Sequence, residues 1–292
     1  MLDQINFFCF GGVPLKGFQQ TLQNKISIRG QALHCGKTVA VTLIPQPVDT
    51  GIRFCRVDHP EQPILPAKPG NIVDTTRSIS LGTDQWRIQT IEHLMAAFHG
   101  LAVDNLLVEV DGPEIPLGDG SAQYFVEQIL QAGLAVQEKP RKVRKITAPV
   151  WVTDGDDPRS YLIALPGEGF RISYCFTSDH KVTGTQFAQY VNDPETFQRK
   201  LAPARTIAFW RELEVLRKQG LALGGNMEIA VVVGEDGYLN QLKYDDEIVR
   251  HKILDVLGDL YLLGPLEGEI IGIRSGHKLD LELALKLEEH LG

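Results

Sequence analysis

Short apolar runs separated by Gly and Pro alternate along the chain with amphipathic stretches, which predicts strands mixed with helices. In the first half the predicted strands are 39–43, 52–54 and 105–110, and the predicted helices are about 90–100 and 121–133. In the second half the predicted strands are 161–165, 170–174, 229–233 and 269–274, and the predicted helices are 194–201 and 246–260. Both halves therefore follow a similar scheme, although no sequence repeat is visible.

The charged, proline-containing stretch 138–145 separates the two regular regions and predicts a linker. At the N-terminus, the apolar run 5–10 is short, lacks a basic lead and is followed by no cleavage site. It resembles neither a signal peptide nor a transmembrane helix. No other stretch approaches bilayer length, so the sequence predicts a soluble protein.

Charge and cysteine content narrow the classes further. A formal net charge of −8 argues against a nucleic-acid-binding protein. The cysteines show no paired spacing, which favours a reduced compartment; they are Cys9, Cys35, Cys55 and Cys175. Cys35 follows His34, but nothing in the sequence orients the two as a nucleophile pair, and a packed cysteine in a turn is the preferred interpretation.

The run 249–259 carries the first chemical signal. His251, Asp255 and Asp259 recur at every fourth position, which on an α-helix places them on one face about one turn apart. An imidazole and a carboxylate so spaced can bind one metal ion, and a nitrogen–oxygen pair suits Zn²⁺. The other positions are mostly apolar, so we expect the helix to be packed and its polar face to border a cavity.

The predicted helix 90–100, with Thr90 as its N-cap, carries a second signal. Glu92 and His93 are adjacent and project about 100° apart, so they cannot be two ligands on one face. His93 could be a ligand and Glu92 a carboxylate that reaches past the metal to its water. The alternative is an N-terminal Glu favoured by the helix dipole, beside an ordinary surface His.

A third signal is His277, which follows the predicted strand 269–274 and a Ser275-Gly276 turn. A side chain at a strand end can enter a site, and His is well suited to donate a proton to a leaving amine near neutral pH. A solvated turn histidine is the alternative.

From about Gln20 to the C-terminus, the chain resembles the zinc-dependent UDP-3-O-acyl-N-acetylglucosamine deacetylases of bacterial lipid A synthesis. The motifs that carry the resemblance occur in order along the whole chain. They are 30–36 (GQALHCG), 73–77 (VDTTR), 90–97 (TIEHLMAA), 110–116 (VDGPEIP), 119–122 (DGSA), 204–206 (ART), 220–225 (GLALGG), the helix around His251, and 275–277 (SGH).

The resemblance implies a catalytic centre. His93, His251 and Asp255 would bind Zn²⁺ and leave a position open for water. Glu92 would be the general base that takes a proton from this water as it attacks the acetamide carbonyl. His277 would be the cationic partner that protonates the departing nitrogen.

Further roles are implied around this centre. Asp259 would hold the His277 ring by a hydrogen bond and favour its charged form. Thr206 and Lys252 would stabilise the tetrahedral oxyanion, and Arg274 would face the nucleotide diphosphate. Asp119 lies in a family motif, but its chemistry assigns it no role.

The family also implies the architecture: an α+β fold of two similar domains, each a sheet layered on helices, with the active site at the seam. The domains would span 20–138 and 146–292, after a disordered N-terminal extension at 1–19. The substrate would be a UDP-linked acylated amino sugar. The protein would be cytoplasmic and, because this substrate bears lipid, would work at or near the inner membrane face.

The departures from the family pattern avoid the metal and acid–base residues. Ile207 stands where the family usually places an aromatic residue, 226–230 (NMEIA) replaces the usual Ser-Leu-Asp/Glu-Asn-Ala, and His180-Lys181 replaces a His-Pro pair. The apolar segment 207–223, which includes Ile207 and Phe209, has helix-like spacing and would form the wall of an acyl-chain passage. Simple core packing of an amphipathic helix is the alternative.

Two other functions stay open. The departures allow a zinc amidase of the same fold that acts on a different N-acetylated sugar. A non-catalytic binding homologue is a second alternative, which the complete set of predicted catalytic residues disfavours.

Overall fold

A computed structural model describes residues 17–218 and 220–291 of the chain, with the side chains of Leu216 and Arg217 excepted. Most of the predicted N-terminal extension, 1–16, therefore lies outside the described residues, as does the Leu216 side chain of the predicted passage wall. Within the described residues, no helix combines the length and the apolar character needed to cross a membrane.

Strands and helices alternate along the whole chain. The first half contains β1 (Phe18–Leu22), β2 (Ile26–Gln31), β3 (Thr38–Pro45), β4 (Ile52–Arg56), β5 (Ile64–Pro66), β6 (Ile72–Asp74), β7 (Ser80–Gly82), β8 (Arg87–Gln89), α1 (Glu92–Gly100), β9 (Leu106–Asp111), α2 (Gln123–Ala132) and β10 (Leu134–Pro140). The second half contains β11 (Arg144–Lys145), β12 (Val150–Thr153), β13 (Tyr161–Leu165), β14 (Phe170–Thr177), β15 (Thr185–Val191), α3 (Pro194–Thr196), a π-helical turn (Phe197–Leu201), β16 (Thr206–Phe209), α4 (Trp210–Lys218), β17 (Ala230–Val233), α5 (Glu247–Leu260), a 3₁₀ turn (Tyr261–Leu263), β18 (Leu266–Ile273) and α6 (His277–Leu291). The α+β class predicted from the resemblance is confirmed.

Each half builds its own main sheet. The first has the order β2-β3-β9-β4-β5, and the second has the order β12-β13-β18-β14-β15, with β11 beside β18. In each sheet one central pair is parallel, β4 with β9 and β14 with β18, whereas the other pairs on these paths are antiparallel. Alternate residues of β9 and β18 are buried, as expected for strands that pack one face on helices. The division into two domains stays a prediction.

Helices α1 and α5 pack against each other between the two halves. Every residue of α1 is buried, and one continuous apolar cluster includes side chains from both halves. The close approach depends on Gly258 of α5, because a Cβ there would lie only 2.1 Å from the carbonyl oxygen of Glu92. This contact brings the first turn of α1 next to the polar face of α5.

Several local predictions need correction. Thr90 does not cap α1: its φ is +63°, and its hydroxyl lies 3.3 Å from a carboxylate oxygen of Glu114, to which it donates. The predicted helix 194–201 is a short α-helix followed by a π-helical turn. The stretch 138–145 is not wholly a linker, because its ends lie in β10 and β11. Strand β1 begins at Phe18, within the predicted extension.

The segment 207–223 also differs from the helical prediction at its start. Residues Thr206–Phe209 form β16, which pairs in parallel with β17, and the helix α4 begins only at Trp210. Parallel pairing with Ala230–Val233 therefore overrides the helix-like spacing of the first apolar residues. The predicted strand 229–233 is confirmed in β17.

Candidate active site

Two histidines and a carboxylate converge where α1 meets α5. His251 and Asp255 lie one turn apart on α5, and the Nε2 of His251 is 3.2 Å from Oδ1 of Asp255. From α1, the Nε2 of His93 lies 3.7 Å from the same oxygen. Each of the three residues is 3% exposed. The structure therefore brings together the three residues predicted as ligands.

The donor set fits a divalent metal ion. One ligand atom from each side chain lies within 4.8 Å of the other two, and Asp255 Oδ1 is buried with no hydrogen-bond donor among the described residues. The Nδ1 of His251 lies 3.1 Å from the carbonyl oxygen of Ala204, which fixes the tautomer with Nε2 free as a ligand. Zinc is bound by His nitrogen and carboxylate oxygen in such sites.

Electrostatics favour the ligand forms of these groups. Burial lowers the pKa of His251 to about 4, so its imidazole is neutral near pH 7. Burial opposes ionisation of Asp255, but His251 and Lys252 hold the pKa of this carboxyl well below its usual value. Lys252 donates to Asp255 Oδ2 at 2.8 Å; although burial opposes its charge, Asp255 raises the pKa of Lys252 above its usual value.

Glu92 and His277 flank this donor set. Glu92 is the first residue of α1, and its Oε2 accepts the backbone N–H of Ile79 at 3.1 Å. Burial raises the pKa of Glu92 to about 7, opposed by the neighbouring His277 and His93. His277 is the first residue of α6, and its Nδ1 lies 2.7 Å from Oδ2 of the fully buried Asp259. The predicted His277–Asp259 contact is therefore present.

Thr206 is held at the site by two buried contacts. Its backbone N–H donates to the carbonyl of Gly120 at 2.8 Å. The adjacent Arg205 places Nε at 2.8 Å and a second nitrogen at 3.1 Å from the two carboxylate oxygens of Glu247 on α5. Asp119, whose role the sequence left open, accepts from Lys243 at 3.0 Å and so helps to anchor the loop that fixes Thr206.

The three predicted ligands, together with Glu92, Thr206, Lys252 and His277, line one cavity of about 480 Å³, whereas Asp259 is not part of the lining. Its polar end contains Glu92, His93, Thr206, His251, Lys252, Asp255 and His277. Its apolar part is lined by Leu33, Leu117, Ile207, Phe209, Trp210, Leu213, Ala222, Met227, Ile229 and Val232. An ion pair between Arg77 and Glu212, 2.9 Å long and partly exposed, also borders the cavity. The cavity thus joins a reactive polar end to an apolar compartment.

Ile207, Phe209, Trp210 and Leu213 line this compartment, and none of them belongs to the main core. Ile207 and Phe209 pack against a separate small cluster of Val231, Val233 and Ile248. Trp210 and Val215 are 55% and 54% exposed. Trp210 therefore lies at the cavity wall, whereas Val215 is exposed outside the lining, and neither side chain is buried in the core.

Arg274, like Asp259, is a predicted site residue that lies apart from the lining of this cavity. Its φ is +54°, its Nε lies 3.3 Å from a carboxylate oxygen of Asp157, and one of its terminal nitrogens donates to the carbonyl of Thr177 at 3.1 Å. Its proposed contact with a diphosphate would therefore require a change of partner, and this role stays a prediction.

Two further buried residues were not predicted as site residues. His34 lines the cavity with neither ring nitrogen bonded to a described residue, and burial lowers its pKa. Its only sequence signal was the motif 30–36. Burial also raises the pKa of the adjacent Cys35 thiol, so a Cys–His nucleophile pair is disfavoured. The second residue, Asp280, lies beside Asp259 and His277.

A buried His–His–Asp donor set beside a second carboxyl and a His–Asp pair, at the polar end of a cavity in an α+β fold, is typical of metal-dependent hydrolases. The model of the family described as LpxC, UDP-3-O-acyl N-acetylglycosamine deacetylase, matches residues 19–289. The chain belongs to this family.

Relatives named UDP-3-O-acyl-N-acetylglucosamine deacetylase agree with this assignment. Those from Pseudomonas entomophila (strain L48) and Saccharophagus degradans (strain 2-40) are each 44% identical over 274 residues, which cover 92% of this chain and 89% of the relative. The relative from Citrifermentans bemidjiense is 42% identical over 273 residues, which cover 92% of this chain and 88% of its own.

Proposed function

We propose that the protein is a zinc-dependent deacetylase that removes the N-acetyl group of UDP-3-O-acyl-N-acetylglucosamine and releases acetate, in lipid A biosynthesis. The observation that carries the proposal is the arrangement at the polar end of the cavity, where His93, His251 and Asp255 converge beside Glu92 and His277. The family and the names of the relatives support the substrate.

Zinc held by His93, His251 and Asp255 would polarise the acetyl carbonyl and lower the pKa of a water molecule. Glu92 takes one proton from the attacking water, and burial, which raises the pKa of this carboxyl, makes it a stronger base than an exposed carboxylate. The water oxygen forms a bond to the acetyl carbon, and the carbon–nitrogen bond then breaks. His277 gives its Nε2 proton to the departing amine while Asp259 holds its Nδ1 side.

Thr206 and Lys252 are proposed to stabilise the negative charge that develops on the acetyl oxygen. Both line the polar end of the cavity. The ammonium of Lys252 stays charged because its pKa is raised, and Asp255 fixes its position. The backbone N–H of Thr206 donates to the carbonyl of Gly120, which fixes the position of this residue in the cavity lining.

The apolar compartment is proposed to hold the 3-O-acyl chain. Ile207 and Phe209 contribute to its lining, as do Trp210 and Leu213. Burial of a hydrocarbon chain is favourable by about 0.8 kcal/mol per CH₂ group. This compartment favours an acylated sugar over a simple N-acetyl sugar, which is the alternative substrate class. Because the substrate bears a lipid chain, the protein is proposed to work in the cytoplasm next to the inner membrane.

The test combines metal analysis with turnover. Purified protein should contain about one zinc ion per chain and release acetate from UDP-3-O-acyl-N-acetylglucosamine. It should act far more slowly on the same UDP sugar without the acyl chain. His251→Ala should lose zinc and activity but keep its fold, whereas Glu289→Gln, an exposed change on α6, should behave as wild type.

Equal rates on the acylated and non-acylated sugars would favour the other amidase function. Unchanged zinc content in both His251→Ala and His93→Ala proteins would refute the metal assignment.

A further inference from the structure

Two buried carboxyl groups lie behind His277, and the proposed mechanism uses only one of them. Asp259 places Oδ2 at 2.7 Å from His277 Nδ1. Asp280 follows His277 by three residues on α6, so both side chains lie on the same face of the helix. One ligand-type atom from each of the three residues lies within 4.8 Å of the other two, and both Asp residues are 0% exposed.

The oxygens of this cluster lack donors. Oδ1 of Asp259 and both carboxyl oxygens of Asp280 are buried and accept no hydrogen bond of normal geometry from any described residue. Two ionised carboxylates side by side in such an environment repel each other and lose solvation, so one of them keeps a proton. Burial, with Asp259 beside it, raises the pKa of Asp280 to about 7. Burial and then Asp255 raise the pKa of Asp259.

Most of the polar groups that face Asp280 have other hydrogen-bond partners. Lys252 donates to Asp255 at 2.8 Å, and Tyr174 donates to the carbonyl of Ser275 at 2.6 Å. The Ser275 hydroxyl donates to the Tyr174 oxygen at 3.3 Å and also interacts with Asp280, where it partly opposes the effect of burial on the pKa of that carboxyl. The carboxyl groups of Asp259 and Asp280 would otherwise face each other as two acceptors. A proton shared between them removes this conflict, because it turns one carboxyl into a donor for the other.

We propose that Asp280 is a positioning residue for His277. Asp280 shares one proton with Asp259 and so holds Asp259 in the orientation that accepts the His277 Nδ1–H. The inference rests on the acid role proposed above for His277. Sharing one proton also leaves a single negative charge behind the imidazole. A second charge there would stabilise the imidazolium further and make it a weaker acid toward the leaving amine.

Two variants of the zinc-loaded full chain test this role. Asp280→Leu keeps a branched side chain with the same number of heavy atoms but removes the hydrogen bond, whereas the amide of Asp280→Asn can still donate to Asp259. Residues that orient a catalytic partner typically contribute about 10- to 100-fold, so kcat of Asp280→Leu should fall by this factor while KM and zinc content stay near wild type. Asp280→Asn should keep kcat within about threefold.

An NMR titration of the His277 imidazole gives a readout that a structural role would not produce, and it does not depend on whether Asp280→Leu folds. Asp280→Asn removes a charge only if Asp280 is ionised in the wild type. The titration midpoint of His277 should therefore move by less than about half a pH unit in this variant. A fall of a full pH unit or more would overturn the shared proton.

Two outcomes of the kinetics would also overturn the inference: wild-type kcat in Asp280→Leu, or an equal loss in Asp280→Asn. His277→Gln is measured in parallel to separate this inference from the function. High activity of His277→Gln would refute the acid role itself. An inactive His277→Gln together with a fully active Asp280→Leu would refute only the role of Asp280.

Discussion

The contact between α1 and α5 can be tested at Gly258, where a single methyl group would push the two helices apart. In Gly258→Ala the new Cβ would lie 2.1 Å from the Glu92 carbonyl oxygen, whereas ordinary van der Waals contact begins at 3.4 Å. The helices must therefore separate locally by about 1 Å. This moves Glu92 and His93 away from His251 and Asp255, which lie on the other helix.

The magnitude follows from two effects. Overpacking costs about 1–3 kcal/mol, and the better helix propensity of Ala offsets about 1 kcal/mol. Stability should therefore fall only moderately. A displacement of about 1 Å between catalytic groups can cost roughly 100-fold in rate, so kcat should fall far more than stability does. Thermal unfolding, zinc content and steady-state deacetylation measure the three consequences.

Gly100→Ala is a matched control. Its Cβ would also lie 2.1 Å from a neighbour, but that neighbour is the Phe197 ring rather than the backbone of a catalytic residue. It should lower the melting temperature to a similar extent and leave kcat and zinc content near wild type. The reasoning is refuted if Gly258→Ala has wild-type kcat, or if Gly100→Ala loses as much activity.

Three further predictions address the base, the acyl compartment and a buried ion pair. Glu92→Gln should lower kcat by roughly 10²- to 10⁴-fold with zinc retained, and near-native kcat would contradict its role as the base. Ile207→Phe should shift kcat/KM between acyl chains that differ by two carbons by roughly tenfold, since each buried CH₂ contributes about 0.8 kcal/mol; an identical acyl-length profile would assign the residue to packing alone. Burial opposes ionisation of Glu247, but Arg205 lowers its pKa in the folded state. Its contribution to stability is thus present above the unfolded-state pKa and is lost as pH falls through the folded-state value. Urea unfolding between pH 7 and pH 3 should show a weaker pH dependence in Glu247→Gln than in Glu289→Gln, and equal slopes would contradict this.

The parts of the site that the sequence predicts are those encoded by local spacing. His251 and Asp255 are four residues apart on one helix, so their proximity follows from helix geometry alone. His93 is different, because nothing in its own segment places it against α5. The resemblance identified it as a ligand, and the close contact at Gly258 supplies the physical reason.

The predictions that failed did so where a distant partner outweighs a local preference. Thr90 has a favourable residue type for an N-cap, but Glu114 takes its hydroxyl and its backbone adopts a positive φ. Ile207 and Phe209 have helix-like spacing with later apolar residues, but the strand Ala230–Val233 pairs with them. Neither partner can be read from the few residues that carry the local signal.

Asp280 shows that the burial of a charged residue is hard to predict from the sequence. Helix α6 was not predicted, and an acid in the first turn of a helix is ordinarily exposed and favoured by the helix dipole. In the structure Asp280 is fully buried beside Asp259. A second carboxyl behind the His277–Asp259 pair costs stability unless a proton is shared. Asp280 lies directly behind His277, the residue proposed to protonate the leaving amine. This position indicates that the buried carboxyl serves catalysis rather than folding.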